Sequence, residues 1–388
     1  MTSVSLNPDE LMQAARERTQ QNDFGDTHFS QGLEILLQTL DRHIADEGFR
    51  KRAGSRIRRN LETRLRITRA LGDTPAIAEQ DITRPVILTG LPRTGTSALF
   101  NLLANDPAAR ALLNWESQFP DPLPGHQPGQ ADPRRDMVSQ AIEARRKDNA
   151  DFDKMHYASA DTPEECVNLH QFAFDGVQLG FEVMLEPYAS WFQNHSLQAL
   201  YDDYKTMLQM LLWCRPGERW LLKAPAHMWA VDEVISSFPD ACVIWGHRSP
   251  LDVVPSISSM TAMVARMFGG NIEALSDKQL GPIVMEFYAT SLERGLAARA
   301  HQDSAHFLDY SFKEFVDTPL DLVEKIYQYF QLPYGEDIQT AMQSYIDHNP
   351  KGKHGDHKYN YEQYGLSEKM ILDRFEFYLS DPRYAPYL

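Results

Sequence analysis

The chain has 388 residues, 43% of them hydrophobic and 24% charged, which is ample for a large buried core and unlike a disordered segment. A formal net charge of −16 excludes a general nucleic-acid binder, whose electrostatic footprint would be basic, so any anion site must be a local pocket. Cys166, Cys214 and Cys242 are widely spaced with no C-x-x-C, which points to neither a disulfide framework nor a metal site.

The opening MTSVSLNPDE has no charged region followed by an apolar run, and no stretch approaches ~18 apolar residues, so a cytoplasmic protein without membrane insertion is expected. Residues 1–80 read as a helical N-terminal extension packed on the core. Leu33, Leu36, Leu37 and Leu40 stand at helical spacing, as do Ile57, Leu61 and Leu65 among arginines. The basic stretch Arg50–Arg69 reads as one solvated face of an amphipathic helix.

Residues 84–105, RPVILTGLPRTGTSALFNLLAN, organise the rest. Val86–Thr89 is a β-branched apolar run ended by Gly90, and Leu99, Leu102 and Leu103 return at helical spacing, which predicts strand, tight loop, helix. Gly90 and Gly95 are separated by four residues, so backbone N–H groups can converge on an anion at the positive end of the helix. The spacing matches the nucleotide loop G-x-x-x-x-G-K-[ST], except that Thr96 stands where the lysine would be and Arg93 supplies a cation inside the loop. The later strand ends in Gly246-His247-Arg248, without a metal-binding aspartate. A loop with fixed cations and no magnesium ligands suits a transferred group of lower charge than a terminal phosphoryl, such as a sulfuryl.

Pro92-Arg93-Thr94-Gly95-Thr96-Ser97 resembles the 5′-phosphosulfate loop of sulfotransferases that use 3′-phosphoadenosine 5′-phosphosulfate, in the bacterial variant with arginine for lysine. The resemblance implies an α/β, P-loop-like three-layer fold. Its central parallel sheet of four to five strands would be flanked by helices, with helical N-terminal and lid additions. The sulfotransferase domain would span residues 81–388, with residues 150–215 as a helical acceptor or lid region. Arg93, Thr94, Gly95, Thr96 and Ser97 would hold the 5′ end of the donor.

Asp106-Pro107 stops the loop helix, and a Pro/Gly-rich crossing follows that contains Trp115-Glu116. In relatives with the arginine-type loop a glutamate at this distance is the base, so the resemblance makes Glu116 the candidate to take the acceptor's proton. After a charged helix over 133–149, aromatic and methionine residues concentrate between 152 and 213, a composition that suits an apolar acceptor pocket or a helical subdomain core. Thr162-Pro163-Glu164-Glu165 reads as a helix start.

A strand over 219–222 ends in Lys223-Ala224-Pro225-Ala226-His227, at the edge where open α/β sheets bind ligands. The family places a sulfuryl-contacting lysine here, implying Lys223, and a catalytic histidine nearby, which falls at His227, two residues later than its cytosolic pattern. Ala241–Trp245 predicts a further strand, and Ser249-Pro250 starts a helix. Arg248 at the strand's tip and Ser256 eight residues on match the family's holder of the donor's 3′-phosphate. A guanidinium fork and a hydroxyl supply the donors. A long helix over 277–300, a strand over 306–309 and helices over 312–331 and 335–347 complete the alternation expected of a parallel sheet.

Lys351-Gly352 with Gly355-Asp356 resembles the family's R-K-G-x-x-G-D loop, with Pro350 in place of the arginine, and implies a further 3′-phosphate contact. Together these features predict a metal-independent sulfuryl transfer to a hydroxyl or amine of a small acceptor. A P-loop kinase or nucleotidase with an altered loop, and a non-catalytic nucleotide-binding protein, are the alternatives.

Overall fold

Val86-Ile87-Leu88-Thr89 offers apolar side chains to both faces, so it must lie inside a sheet covered on both sides. In the computed structural model, which describes residues 6–148, 159–177, 184–268, 276–349 and 361–388, it does. Among the described residues five strands form one parallel sheet: β1 (Val86–Gly90), β2 (Ala109–Ala111), β3 (Arg219–Lys223), β4 (Cys242–His247) and β5 (Phe307–Ser311). Their order is β2-β3-β1-β4-β5, with β1 fully buried at the centre. Val86 lies opposite Leu221 and Cys242, and Gly90 opposite Gly246, so the carboxyl tips of β1, β3 and β4 end at one edge.

Alternation along the strands divides the core. Val86, Leu88, Leu221 and Ile244 pack with Leu99 and Leu103 of the loop helix (Thr96–Leu103) and with Leu322, Val323 and Ile326 of the helix Pro319–Tyr329. On the other face Ile87, Leu222, Val243 and Trp245 join one core with the helices Pro250–Phe268 and Asp277–Arg299, and that core continues into the N-terminal helices. Those helices run Pro8–Thr19, Phe29–His43 and Glu47–Asp73. Asn7 and Asp46 cap the first and third by accepting from Glu10 and Phe49 N–H. Leu33, Leu36, Leu37 and Leu40 are all buried, as their spacing predicts.

Three local differences from the sequence reading have physical causes. The helix expected over 312–331 is two, Phe312–Asp317 and Pro319–Tyr329, because Pro319 has no N–H to continue the first and starts the second instead. β2, only three residues long, carries no apolar run of its own and forms by pairing Ala109–Ala111 with Arg219–Leu221. Thr162–Glu165 does not open a helix: Leu113 bridges Pro163, Glu164 N–H donates to the Leu112 carbonyl at 2.8 Å, and Cys166 N–H to that of Lys223 at 3.0 Å. This stretch therefore crosses the strand tips from β2 to β3.

Candidate active site

The loop between β1 and its helix is set by close approaches that only glycine permits. A Cβ on Gly90 (φ 121°) would stand 2.4 Å from the Gly246 carbonyl oxygen, so these two tips touch backbone to backbone. Gly95 caps the helix at φ 84° with no side chain on the first-turn N–H groups, which are the orphan donors of any helix start. A helix of eight residues with an uncapped start beside a tight loop is an anion cradle. Arg93 itself sits at φ 70°, a left-handed setting that costs a side-chain-bearing residue about 1–3 kcal/mol. The loop is held there from within: Thr94 Oγ1 donates to the Leu91 carbonyl at 2.7 Å, and Tyr310 O–H donates to the Thr94 carbonyl at 3.2 Å. Thr94's hydroxyl is thus turned into the fold, Thr96 is buried, and Ser97 is exposed.

Lys223, at the tip of β3, reaches the same mouth. Its Nζ donates to Ser97 Oγ at 3.0 Å, pairs with the Glu165 carboxylate, and lies 5.8 Å from the centre of the Phe100 ring. The lysine side chain is 5% exposed and that of Glu165 33%, so the carboxylate is the member of the pair that an incoming molecule can touch. From sequence, a structural role is favoured for Glu165, with a place facing the acceptor left open, because an acidic pair after a proline resembles a first helical turn. The usable signal was Pro163 itself, which biases Thr162 toward extended backbone.

On the opposite side, Arg248 and Ser256 converge on the loop. Arg93 Nε donates to Ser256 Oγ at 3.1 Å, and Arg248 Nη1 donates to the Arg93 carbonyl at 3.0 Å. The Arg248 guanidinium lies 4.1 Å over the Phe312 ring, and the same ring meets Gly95, where an added Cβ would stand 3.2 Å from Phe312 Cδ2. Arg93, Thr94, Gly95, Thr96, Ser97, Lys223, Arg248 and Ser256 therefore share one edge of the sheet. Arg248 Nε also meets the exposed Asp252 carboxylate at 3.3 Å. Three cations, with the partly exposed Glu165 carboxylate beside Lys223, are what transfer of an anionic group to a proton-bearing nucleophile needs.

Two residues expected here are elsewhere engaged, and one pair lies outside the described residues. Glu116 is fully buried in an ion-pair cluster. Its Oε1 accepts from Arg110 Nη2 at 2.7 Å and Arg215 Nε at 2.9 Å, and its Oε2 from Arg110 Nη1 at 2.8 Å, Arg215 Nη2 at 3.0 Å and Leu113 N–H at 2.9 Å. Burial alone would raise its pKa, but the two guanidiniums outweigh that and hold it below the ordinary glutamate value. With both oxygens saturated, Glu116 is a poor base and a structural anchor. His227 is also sealed: its Nδ1 lies 2.6 Å from Tyr201 O–H, and burial, with His170 beside it, pushes its pKa well below the usual histidine range. It stays neutral within an aromatic core cluster of His170, Tyr201 and Tyr204. Lys351 and Gly352 fall outside the described residues. Among the described residues no group of metal-ligating side chains could hold an ion, and no helix is long and apolar enough to cross a membrane.

A sequence model of the sulfotransferase family matches residues 85–336. The fold is similar to that of sulfotransferase STF1 from Mycobacterium tuberculosis H37Rv, with a TM-score of 0.83 and 27% identity over 97% of this chain and 99% of that one. It is similar also to sulfotransferase STF9 from Mycobacterium avium, with a TM-score of 0.85 and 25% identity over 96% of this chain and 95% of the other. No curated protein sequence matches.

Proposed function

We propose, from the premise that this chain belongs to the sulfotransferase family, that it moves a sulfuryl group from 3′-phosphoadenosine 5′-phosphosulfate to a hydroxyl or amine of a small, apolar acceptor. The observation that carries this reading is the convergence at one sheet edge of the uncapped loop helix, Arg93, Lys223, Arg248 and Ser256.

The residues fit such a donor. The loop amides with Ser97 would hold the 5′-phosphate, and Arg248 with Ser256 the 3′-phosphate. Thr96 serves through its backbone N–H, since its side chain is buried. The donor supplies an activated sulfur–oxygen bond. Glu165 would take the acceptor's proton as the new bond to sulfur forms, and the bond to the bridging oxygen breaks, releasing adenosine 3′,5′-bisphosphate. Arg93 and Lys223 would stabilise charge on the departing phosphate and the sulfuryl oxygens. Glu165 replaces Glu116 and His227 as the base because it alone of the three is partly exposed beside the loop.

Thermal denaturation with adenosine 3′,5′-bisphosphate, against ATP with magnesium, tests the donor. At a hundredfold excess over its dissociation constant the bisphosphate should stabilise the fold by about 2.7 kcal/mol. Stabilisation by ATP with magnesium and none by the bisphosphate would replace this reading with a phosphoryl-transfer enzyme. Bisphosphate binding without sulfuryl turnover across a broad acceptor panel would leave a nucleotide-binding protein.

A further inference from the structure

The carboxyl-terminal residues 376–388 close on the strand that carries Arg248. His247, the last residue of β4, is fully buried. Its Nε2 lies 2.7 Å from Asp309 Oδ1 and its Nδ1 2.7 Å from Tyr378 O–H. Both Asp309 oxygens also accept from Arg299, at 2.6 Å each. An ionised carboxylate accepts only, so Nε2 carries the proton and donates. Burial holds the imidazole below the ordinary histidine value, so the ring is neutral and Nδ1 accepts from the tyrosine. The rings of Tyr378, Tyr384 and Tyr387 stack about the imidazole, with centroids 5.9, 5.5 and 5.2 Å away.

An apolar side chain would fill that space equally well. What the polar chain Tyr378–His247–Asp309–Arg299 adds is direction, because hydrogen bonds at both ring nitrogens fix how the tip of β4 is turned. The clamp meets the Arg248 arm at two points, one covalent and one through the sheet. Arg248 follows His247. Ser311, the backbone partner of His247 in the sheet, caps the next helix by accepting from Glu314 N–H at 2.9 Å and precedes Phe312, the ring beneath Arg248.

We infer that residues 376–388 form a strap that sets the Arg248 arm, and that Tyr378, acting through His247, is a positioning residue for the donor's 3′-phosphate. This rests on the donor reading above. No contact of the strap with the donor is required.

Calorimetric titration of adenosine 3′,5′-bisphosphate into the full-length wild type, Tyr378→Phe, Arg248→Ala and the double variant tests it. Tyr378→Phe, which keeps the ring and removes one hydrogen bond, should weaken binding roughly three- to tenfold. Tyr387→Leu, a less buried change that removes one stacking ring, should weaken it in the same direction. The double variant should bind no more weakly than Arg248→Ala alone, because a strap acting through the arginine has nothing left to set. A merely structural tyrosine would instead give additive losses, which overturns the proposal, as does unchanged affinity in Tyr378→Phe while Arg248→Ala is impaired. Unchanged affinity in Arg248→Ala, or no binding by the wild type, would remove the donor reading itself and the strap with it.

Discussion

Replacing Glu116 with Gln separates an anchor from a base. The carboxylate receives five hydrogen bonds, four of them from guanidinium nitrogens of Arg110 and Arg215. Gln offers one oxygen and turns an N–H₂ toward the other two guanidinium donors, so two charges lose their counter-ion at once. The Arg110 side chain is 1% exposed and already pushed down to about 10, chiefly by burial, while that of Arg215 is 39% exposed and can reach water. Breaking one side of a buried pair costs about 3–5 kcal/mol, and the exposure of Arg215 favours the lower end. For a chain of 388 residues, with an unfolding entropy of about 2 cal/mol/K per residue, that is a fall in Tm of about 4–6 °C. Scanning calorimetry reads the fall. Turnover of radiolabelled donor at 25 °C, with any acceptor found by screening, should stay within about threefold of wild type, since the fold survives a loss of this size. A loss of turnover of about a hundredfold or more at unchanged Tm would refute the reasoning and return the proton-accepting role to Glu116.

The complementary change, Glu165→Gln, should lower turnover by about 10²–10⁴ while bisphosphate affinity is kept, and equal turnover would discard Glu165 as the base. A pH effect is expected where the N-terminal helices meet Asp175, His195 and Asp203. Asp175 is fully buried, with His28 Nε2 3.5 Å and His195 Nε2 3.7 Å from its Oδ2, and Asp203, Arg64 and Asp26 close by. Burial pushes its pKa up to about 7, against 3.8 ordinarily, so the folded state keeps a proton that the unfolded chain releases. His28 loses some proton affinity to burial but gains more from Asp203 and Asp175, and it too is raised. Both contributions are favourable in acid and vanish as pH rises through the folded values. Stability should therefore fall between pH 5 and 8, by about 2–3 kcal/mol for Asp175 alone. In Asp175→Asn that part of the slope should disappear from Tm measured across this range, and an identical slope in both proteins would contradict the assignment.

Much of this architecture is legible in the sequence where one residue type has one physical use. A β-branched run ended by glycine, with a second glycine five residues on, could hardly be anything but strand, turn and helix. Arg248 and Ser256 were reachable through the family resemblance, whose arginine and serine eight residues apart bridge a strand tip and the next helix. What stayed hidden depends on tertiary pairing. Glu116 follows β2, and Glu165 lies where the chain crosses from β2 to the tip of β3. Nothing local says that two arginines, one of them 99 positions away, close over the first while a lysine leaves the second partly open. His227 follows a strand tip, yet its ring turns into the core, where Tyr201 meets it.

The order of strands has a bearing on how the molecule comes to exist. β1 emerges early in synthesis, but its hydrogen-bonded neighbours are Leu221 on one side and Cys242 on the other. Until both have been made, its ladder groups have no native partner, and every pairing in the sheet closes a long loop before any contact rewards it. Assembly is expected to be slow and late, with the central strand waiting for most of the polypeptide. Interruption between residues 90 and 247 leaves an aggregation-prone apolar strand in place of an enzyme.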